Sequence, residues 1–124
     1  MCHDPVSRWH IRLERTTEHE VWLLGWSARQ AVEFHDHGGS AGAFCVIEGE
    51  LVEEYGRNGV LRRTSWPAGA AHVFPPAHIH HVWNRGPATA KSIHVYSPPL
   101  SVMTFYGRGP RGALRPTRTE AVPS

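Results

Sequence analysis

The sequence has few cysteines, few charges and no long apolar segment, and each shortage excludes a class of protein. Only two of the 124 residues are cysteine, Cys2 and Cys45, too few for the disulfide framework of a small secreted protein. Charged residues make up 19% and hydrophobic residues 40%, a balance unlike that of a disordered chain. No apolar run reaches membrane-spanning length, and the first residues lack the apolar core of a secretory signal. We therefore expect a cytoplasmic protein with no membrane partner.

The basic excess is small and lies largely near the C-terminal end. The net charge is +2 at pH 7 with histidine neutral. Four arginines stand there among glycine and proline: Arg108, Arg111, Arg115 and Arg118. No basic stripe with interleaved aromatic residues precedes them, so we expect no nucleic-acid partner. The composition of residues 107–124 predicts a flexible tail, and residues 1–8 are also expected to be flexible.

The body of the chain also lacks sustained helical periodicity, and a short helical turn is expected only within residues 5–16. Short runs of aromatic and branched residues recur instead, separated by glycine and proline. Asn58-Gly59 is a hairpin signal, and Glu48-Gly49-Glu50 divides two apolar runs. This pattern predicts a single all-β domain over residues 1–106, a small sandwich or barrel. The pattern is compatible with either a monomer or a homo-oligomer.

Histidine, by contrast, is abundant, with ten residues in the chain. His35 and His37 lie in an alternating segment, so both side chains are expected on one strand face, where they could reach one ion. A third ligand must come from elsewhere, and "AHIHHVWN" offers His78, His80 and His81. Alternation alone does not exclude His78. Imidazole suits several metals, including zinc, nickel and copper, so the ligand type does not identify the ion.

The spacing around this second cluster resembles the second motif of the cupin family. The matching positions, read along the chain, are Gly69, Pro75, Ala77, His80 and Asn84. Only Ala77 departs from the motif, where cupins carry glycine. The resemblance selects His80 over its neighbours as the third ligand. It implies a single-domain cupin, which is a double-stranded β-helix or small jelly-roll barrel.

The first cupin motif is matched less completely. His35, His37 and Gly49 stand at its spacing, but Gly42 occupies the position of its glutamate ligand, and Arg29 replaces an earlier glycine. Three neutral histidines without a carboxylate would leave positions on a metal for a substrate and dioxygen together. Such a set resembles the facial triad of non-haem iron oxygenases, with a neutral histidine in place of the carboxylate.

A second resemblance is to the cysteine dioxygenase family, the thiol dioxygenases of the cupin fold. It rests on "HDHGGSAGAF" and "SIHVYSPPL" and extends from about residue 9 to 106, nearest to the compact bacterial members. It implies Fe(II) on His35, His37 and His80, with Ni(II) or another divalent ion as the alternative. It also implies catalytic roles for Ser92, His94 and Tyr96. Those three side chains alternate along a strand, so their polar groups are expected to share one face.

The same resemblance places substrate-binding residues near the start of the chain. Arg12 matches an arginine that binds the substrate carboxylate, and His10 stands at the position of a tyrosine in the substrate region. Animal members of the family link a cysteine to the tyrosine that Tyr96 matches. Gly42 occupies that cysteine position, so no crosslink is expected, and Cys45 is not a substitute.

The predicted function is therefore that of an iron-dependent thiol dioxygenase. Cysteine or a related small thiol would be the substrate, dioxygen the co-substrate and a sulfinate the product. One alternative is a cupin oxygenase of a specialised sulfur metabolite with a different product or metal. The other is a metal-binding cupin without catalysis, which would have no need of the polar row from Ser92 to Tyr96.

Overall fold

A computed structural model describes residues 9–57, 60–109 and 113–122. Within these ranges all regular secondary structure is strand, as predicted, and no helix that could span a membrane occurs. The strands are β1 Trp9–Arg15, β2 Glu20–Trp26, β3 Ala31–His35, β4 Ala41–Glu48, β5 Glu50–Arg57, β6 Val60–Pro67, β7 Ala71–Phe74, β8 His80–Trp83, β9 Ala90–Ser97, β10 Val102–Arg108 and β11 Leu114–Ala121.

The strands form two antiparallel sheets that enclose one hydrophobic core. The first sheet has the order β1-β2-β9-β4-β7 and the second β11-β10-β3-β8-β5-β6. Both sheets contribute to a single buried apolar cluster: Leu24, Trp26, Val32, Phe44, Val46, Leu51, Phe74, Val82, Ala90, Tyr96 and Leu100. Because side chains alternate along each strand, every second residue of the central strands points between the sheets.

Short turns connect the strands at the positions that the sequence suggested. Strand β4 ends at Glu48 and β5 begins at Glu50, with Gly49 between them at a positive φ of 75°. Strands β5 and β6 pair antiparallel with Arg57 opposite Val60. The predicted turn residues of this hairpin, at positions 58 and 59, lie outside the described residues.

The predicted helical turn within residues 5–16 is wrong for the described part of that range. Residues Trp9–Arg15 form β1, which pairs with β2 from Trp9 opposite Gly25 to Arg15 opposite Glu20. A β-bulge between Arg12 and Glu14 interrupts the register. An irregular alternation of this kind obscures the period of two on which strand prediction depends. Residues 1–8, expected to be flexible, lie outside the described residues.

The predicted flexible tail after residue 106 is also wrong for most of its length. Strand β10 continues to Arg108, and β11 pairs with it over Leu114–Ala121. The strand is held by its ladder to β10 and by polar contacts rather than by apolar alternation. Arg118 lies over the ring of Phe105 at 4.2 Å and also bonds to Glu33. As an edge strand, β11 tolerates Pro116, which composition alone marks as a strand breaker.

Candidate metal centre and substrate cavity

Three histidines meet between the two sheets. His35, His37 and His80 each present a ring nitrogen within 4.8 Å of those of the other two. Their ring centroids are separated by 4.7 to 4.9 Å, so the rings form a nearly equilateral triangle. All three side chains are buried. The structure thus brings together the three residues that the motif spacing selected, and it leaves out His78 and His81.

The backbone places these rings by two different means. His35 ends β3 and lies directly opposite His80, the first residue of β8, so both project from one face of the second sheet. His37 follows the end of β3 and is not part of the strand face predicted for it. Asp36 instead anchors this segment to β10 by accepting hydrogen bonds from the Thr104 amide at 3.0 Å and the Tyr106 hydroxyl at 2.9 Å.

Hydrogen bonds fix which nitrogen of two histidines faces the group. The Nδ1 of His35 donates to the carbonyl of Glu33 at 2.7 Å. The Nδ1 of His80 lies 2.6 Å from the Oε2 of Glu53 and donates to that carboxylate. With Nδ1 protonated in each neutral ring, Nε2 carries the lone pair that can coordinate a metal.

His37 shows most clearly that a metal ion fits the group. Its side chain is fully buried, with 0% exposed, and neither ring nitrogen has a hydrogen-bond partner among the described residues. Burial, reinforced by the neighbouring His80, lowers the pKa of His37 to about 2, so the ring is neutral. An unsatisfied buried imidazole is costly unless something occupies its lone pair. Three neutral imidazoles form a donor set that suits a divalent transition metal.

The position of the absent glutamate ligand is filled by an aromatic ring. A Cβ atom built on Gly42 would overlap the ring of Phe74. That ring packs on His37 at a centroid distance of 4.6 Å and on His80 at 5.3 Å. The Gly42 side of the group is therefore closed, and room for exogenous ligands lies on the side of His35 and His80 that borders a cavity.

A cavity of about 410 Å³ opens on that side of the histidine group. Among the residues that line it, His35 and His80 belong to the group, and Met103 and Phe105 are apolar. Its remaining polar groups include those of His10, His94, Tyr96 and Glu120. The cavity is large enough for a small organic molecule. Part of its wall comes from Glu120, Ala121 and Val122, at the end of the chain segment for which a flexible tail was predicted.

The predicted polar row on β9 is connected by hydrogen bonds. The Oγ of Ser92 lies 2.7 Å from the Nε2 of His94, and the Nδ1 of His94 lies 3.4 Å from the Tyr96 hydroxyl. The indole of Trp26 donates to Ser92 at 2.9 Å. Because an indole only donates, the buried Ser92 hydroxyl is left to donate its own proton to His94. A neutral His94 then carries its proton on Nδ1 and directs it to Tyr96.

The two predicted substrate-binding residues occupy different places. His10 lines the cavity and packs edge-to-face on Trp22 at 5.2 Å. Arg12 is exposed and is not among the lining residues, but its guanidinium lies 5.7 Å from the centroid of the same Trp22 ring. Arg12 therefore lies next to a residue that lines the cavity, two positions beyond His10 on the same strand.

Several residues near the site were missed by sequence reasoning. Trp26 was not among the predicted site residues, yet its indole donates to Ser92. Glu53 was not considered, although its buried carboxylate contacts His80 and forms a second compact group with His72 and His78. No local signal marked Glu53, because the alternate positions of its strand hold Leu51 and Tyr55 but also the charged Arg57.

Comparison with known proteins gives a family for the chain. The sequence profile of the family described as Cysteine dioxygenase type I matches residues 3–109. The chain therefore belongs to that family of metal-dependent cupin enzymes, and the resemblance seen in the motifs is confirmed. Family membership supports an oxidoreductase of the oxygenase type, and a buried histidine group that could bind a metal ion agrees with it.

Solved structures confirm the cupin fold. The protein TT1209 from Thermus thermophilus is similar with a TM-score of 0.70 and 23% identity, covering 80% of this chain and 90% of that one. A cupin superfamily protein from Desulfitobacterium hafniense has a TM-score of 0.66 and 11% identity, covering 78% and 83%. A recombinant oxalate oxidase has a TM-score of 0.71 and 18% identity, covering 82% of this chain but 56% of its own.

Proposed function

We propose that this protein is a non-haem iron thiol dioxygenase acting on cysteine or a related small thiol. The reaction is RSH + O2 → RSO2⁻ + H⁺, in which sulfur is oxidised by four electrons and dioxygen accepts them. The observation that carries the proposal is the unsatisfied, buried His37 within a three-histidine group that borders a cavity. Membership of the cysteine dioxygenase type I family supports the thiol as substrate.

The proposed ligands are the ring nitrogens of His35, His37 and His80. A ferrous ion held there would supply the redox chemistry of the reaction and a Lewis-acid site for the thiol. Imidazole ligands also accept Ni(II) or another divalent ion, so the choice of iron follows from the family. The protein contributes three neutral donors and keeps the Gly42 side closed by Phe74. Substrate and dioxygen would therefore approach from the cavity alone.

Tyr96 is proposed to act on the reacting groups through its hydroxyl. It lines the cavity, and its ring stacks on that of His37 at a centroid distance of 5.5 Å. His94 directs a proton to the Tyr96 oxygen, so the tyrosine can direct its own O–H into the cavity. Ser92 holds His94 in the tautomer that this arrangement requires. These two residues therefore position Tyr96, and His94 also lines the cavity.

His10 and Arg12 are proposed to bind the end of the substrate that is remote from sulfur. His10 can donate to or accept from a polar group within the cavity. Arg12, beside the ring of Trp22, offers a charge-assisted hydrogen bond to a carboxylate. Since Arg12 is exposed, this contact should contribute less than a buried pair would.

The test is metal analysis followed by oxygen uptake over a panel of small thiols. The purified protein should contain one metal ion per chain and consume dioxygen only when a thiol is present. His80→Ala should lose both the metal and the uptake. His81→Ala is the matched control, since His81 is the next residue and lies outside the group. Full metal content in His80→Ala would contradict the ligand assignment.

A further inference from the structure

We propose that Glu53 is a positioning residue of the metal centre, which orients His80 and supplies the negative charge that the three-histidine ligand set lacks. The inference rests on the proposed metal site and adds to it a residue beyond the ligands. Gly42 removes the carboxylate from direct contact with the metal. Glu53 would instead place a carboxylate next to a ligand of the metal, hydrogen-bonded to the imidazole of His80.

The carboxylate of Glu53 is fully buried, and both of its oxygens accept hydrogen bonds. On Oε2 are His80 Nδ1 at 2.6 Å and His78 Nε2 at 2.9 Å. Trp66 Nε1 donates to Oε1 at 3.1 Å, and His72 Nδ1 lies 3.3 Å from the same oxygen. Three hydrogen bonds, with at least one on each oxygen, satisfy most of the lone pairs of the carboxylate. An isolated buried carboxylate would be far too costly to retain, and this network removes that cost.

The network also keeps Glu53 ionised. The indole of Trp66 and the rings of His78 and His80 converge on its two oxygens, and an ionised carboxylate accepts hydrogen bonds at both. A divalent ion on the three histidines would balance this charge through the ring of His80.

The contact with His80 has two consequences. It holds the proton on Nδ1, which leaves Nε2 as the coordinating atom and sets the orientation of the ring. It also makes the ring more basic. A carboxylate that accepts a hydrogen bond from Nδ1–H increases the electron density on Nε2. Both effects strengthen the bond from His80 to a metal. The added density also favours the oxidised form of a redox metal over the reduced form.

His72, His78 and Glu53 offer a second use, since their donor atoms lie within 4.8 Å of one another and could hold an ion themselves. The hydrogen-bond network favours the positioning role, because Trp66, His78 and His80 already occupy both oxygens of Glu53. An ion at that position would have to replace the proton that His78 shares with Glu53. Metal stoichiometry decides between the two uses.

The experiment compares Glu53→Gln with Glu54→Gln. Glu54 is the next residue on β5, is also buried and bonds to Arg63 and Arg108, and the histidine near it, His81, is not one of the proposed ligands. Zinc affinity of the metal-free protein is measured by competition with a chelator, after circular dichroism shows that each variant is folded. Glu53→Gln should weaken zinc binding roughly 10- to 100-fold, the usual effect of losing such a partner. Glu54→Gln should bind zinc as the wild type does.

Nitrogen-15 NMR of the zinc-loaded wild type tests the same contact without a variant. His80 should show a protonated Nδ1 and a zinc-bound Nε2. In the iron-loaded protein, Glu53→Gln should raise the reduction potential. The opposite tautomer of His80, unchanged affinity in Glu53→Gln, or two zinc ions per chain would each overturn the inference. If His80→Ala keeps its metal, the proposed metal site itself fails, which is a separate outcome.

Discussion

The ring of Phe74 occupies the space that a side chain at Gly42 would need. In cupins with a four-residue ligand set, a glutamate is expected at the position of Gly42. Here the ring that replaces it packs on His37 and His80, so two of the three histidines rest on an apolar surface. The absence of the glutamate does not by itself open a position on the metal group, because Phe74 fills that space. Access for other ligands comes from the cavity.

Substitution at Gly42 should consequently destabilise the protein. Gly42→Ala would press a methyl group into the Phe74 ring, and overpacking of this kind costs about 1–3 kcal/mol. Chemical denaturation measures the change. Gly56→Ala is the control, because a Cβ atom there would meet its nearest atoms at 3.9 Å. Adding Phe74→Leu to Gly42→Ala should recover part of the loss, and strictly additive effects would argue against a direct conflict.

Removing the Tyr96 hydroxyl should affect turnover more than metal binding. Tyr96→Phe keeps the ring that stacks on His37 but cannot donate a hydrogen bond. We expect kcat to fall about 100-fold with metal content unchanged. Ser92→Ala should also lower kcat. Without the Ser92 hydroxyl, His94 can adopt the other tautomer, which no longer donates to Tyr96. Wild-type turnover in Tyr96→Phe would remove the proposed role of the hydroxyl.

The role of Arg12 can be tested by the charge of the substrate. Arg12→Gln should raise KM about 10-fold for a thiol that carries a carboxylate, through loss of a charge-assisted hydrogen bond. KM for an aminothiol without a carboxylate should be unchanged. Arg15→Gln is the control, since Arg15 is exposed on the same strand but lies opposite Glu20, whereas Arg12 lies opposite the cavity-lining Trp22. An equal rise for both thiols would show that Arg12 does not recognise the acid group.

The metal-free protein should lose stability as the pH falls below about 6.5, the ordinary value for histidine. Burial lowers the pKa of His37 to about 2 and that of His80 in the same direction. Between the folded and unfolded values, the unfolded chain binds protons that the folded chain does not. Falling pH therefore favours unfolding, by up to about 1.4 kcal/mol per pH unit for each histidine.

Thermal unfolding of the metal-free protein across pH 5 to 8 measures this dependence. His19→Gln provides the comparison, because His19 is only half-buried and lies outside the group. That variant should keep the same slope. A stability that does not change with pH in this range would show that His37 and His80 are not held neutral by burial.

Sequence patterns located the metal group because His35 and His80 lie on strands and His37 follows two positions after His35. His80 opens a short regular strand, and the spacing from Gly69 to Asn84 distinguishes it from His78 and His81. Ser92, His94 and Tyr96 alternate along β9, where the burial pattern is strictly periodic. In such segments, residues two positions apart have side chains on the same face of the strand.

The residues that the sequence did not reveal depend on contacts between distant segments. Glu53 reads locally as an ordinary strand carboxylate, and only the fold brings His72, His78 and His80 to it. Strand β11 lacks apolar alternation and is held by its ladder to β10. Trp26 is separated from Ser92 by 66 positions. Hydrogen bonds between distant segments produce no periodic pattern in the sequence, so pattern analysis does not predict them.

The central claim is tested most directly by the origin of the oxygen atoms in the product. The iron-loaded protein is supplied with cysteine or another accepted thiol under isotopically labelled dioxygen, and the product is analysed by mass spectrometry. We predict a sulfinate in which both oxygen atoms carry the label, with one dioxygen consumed per thiol. Disulfide formation without oxygen incorporation, or a product with only one labelled oxygen, would contradict the assignment as a thiol dioxygenase.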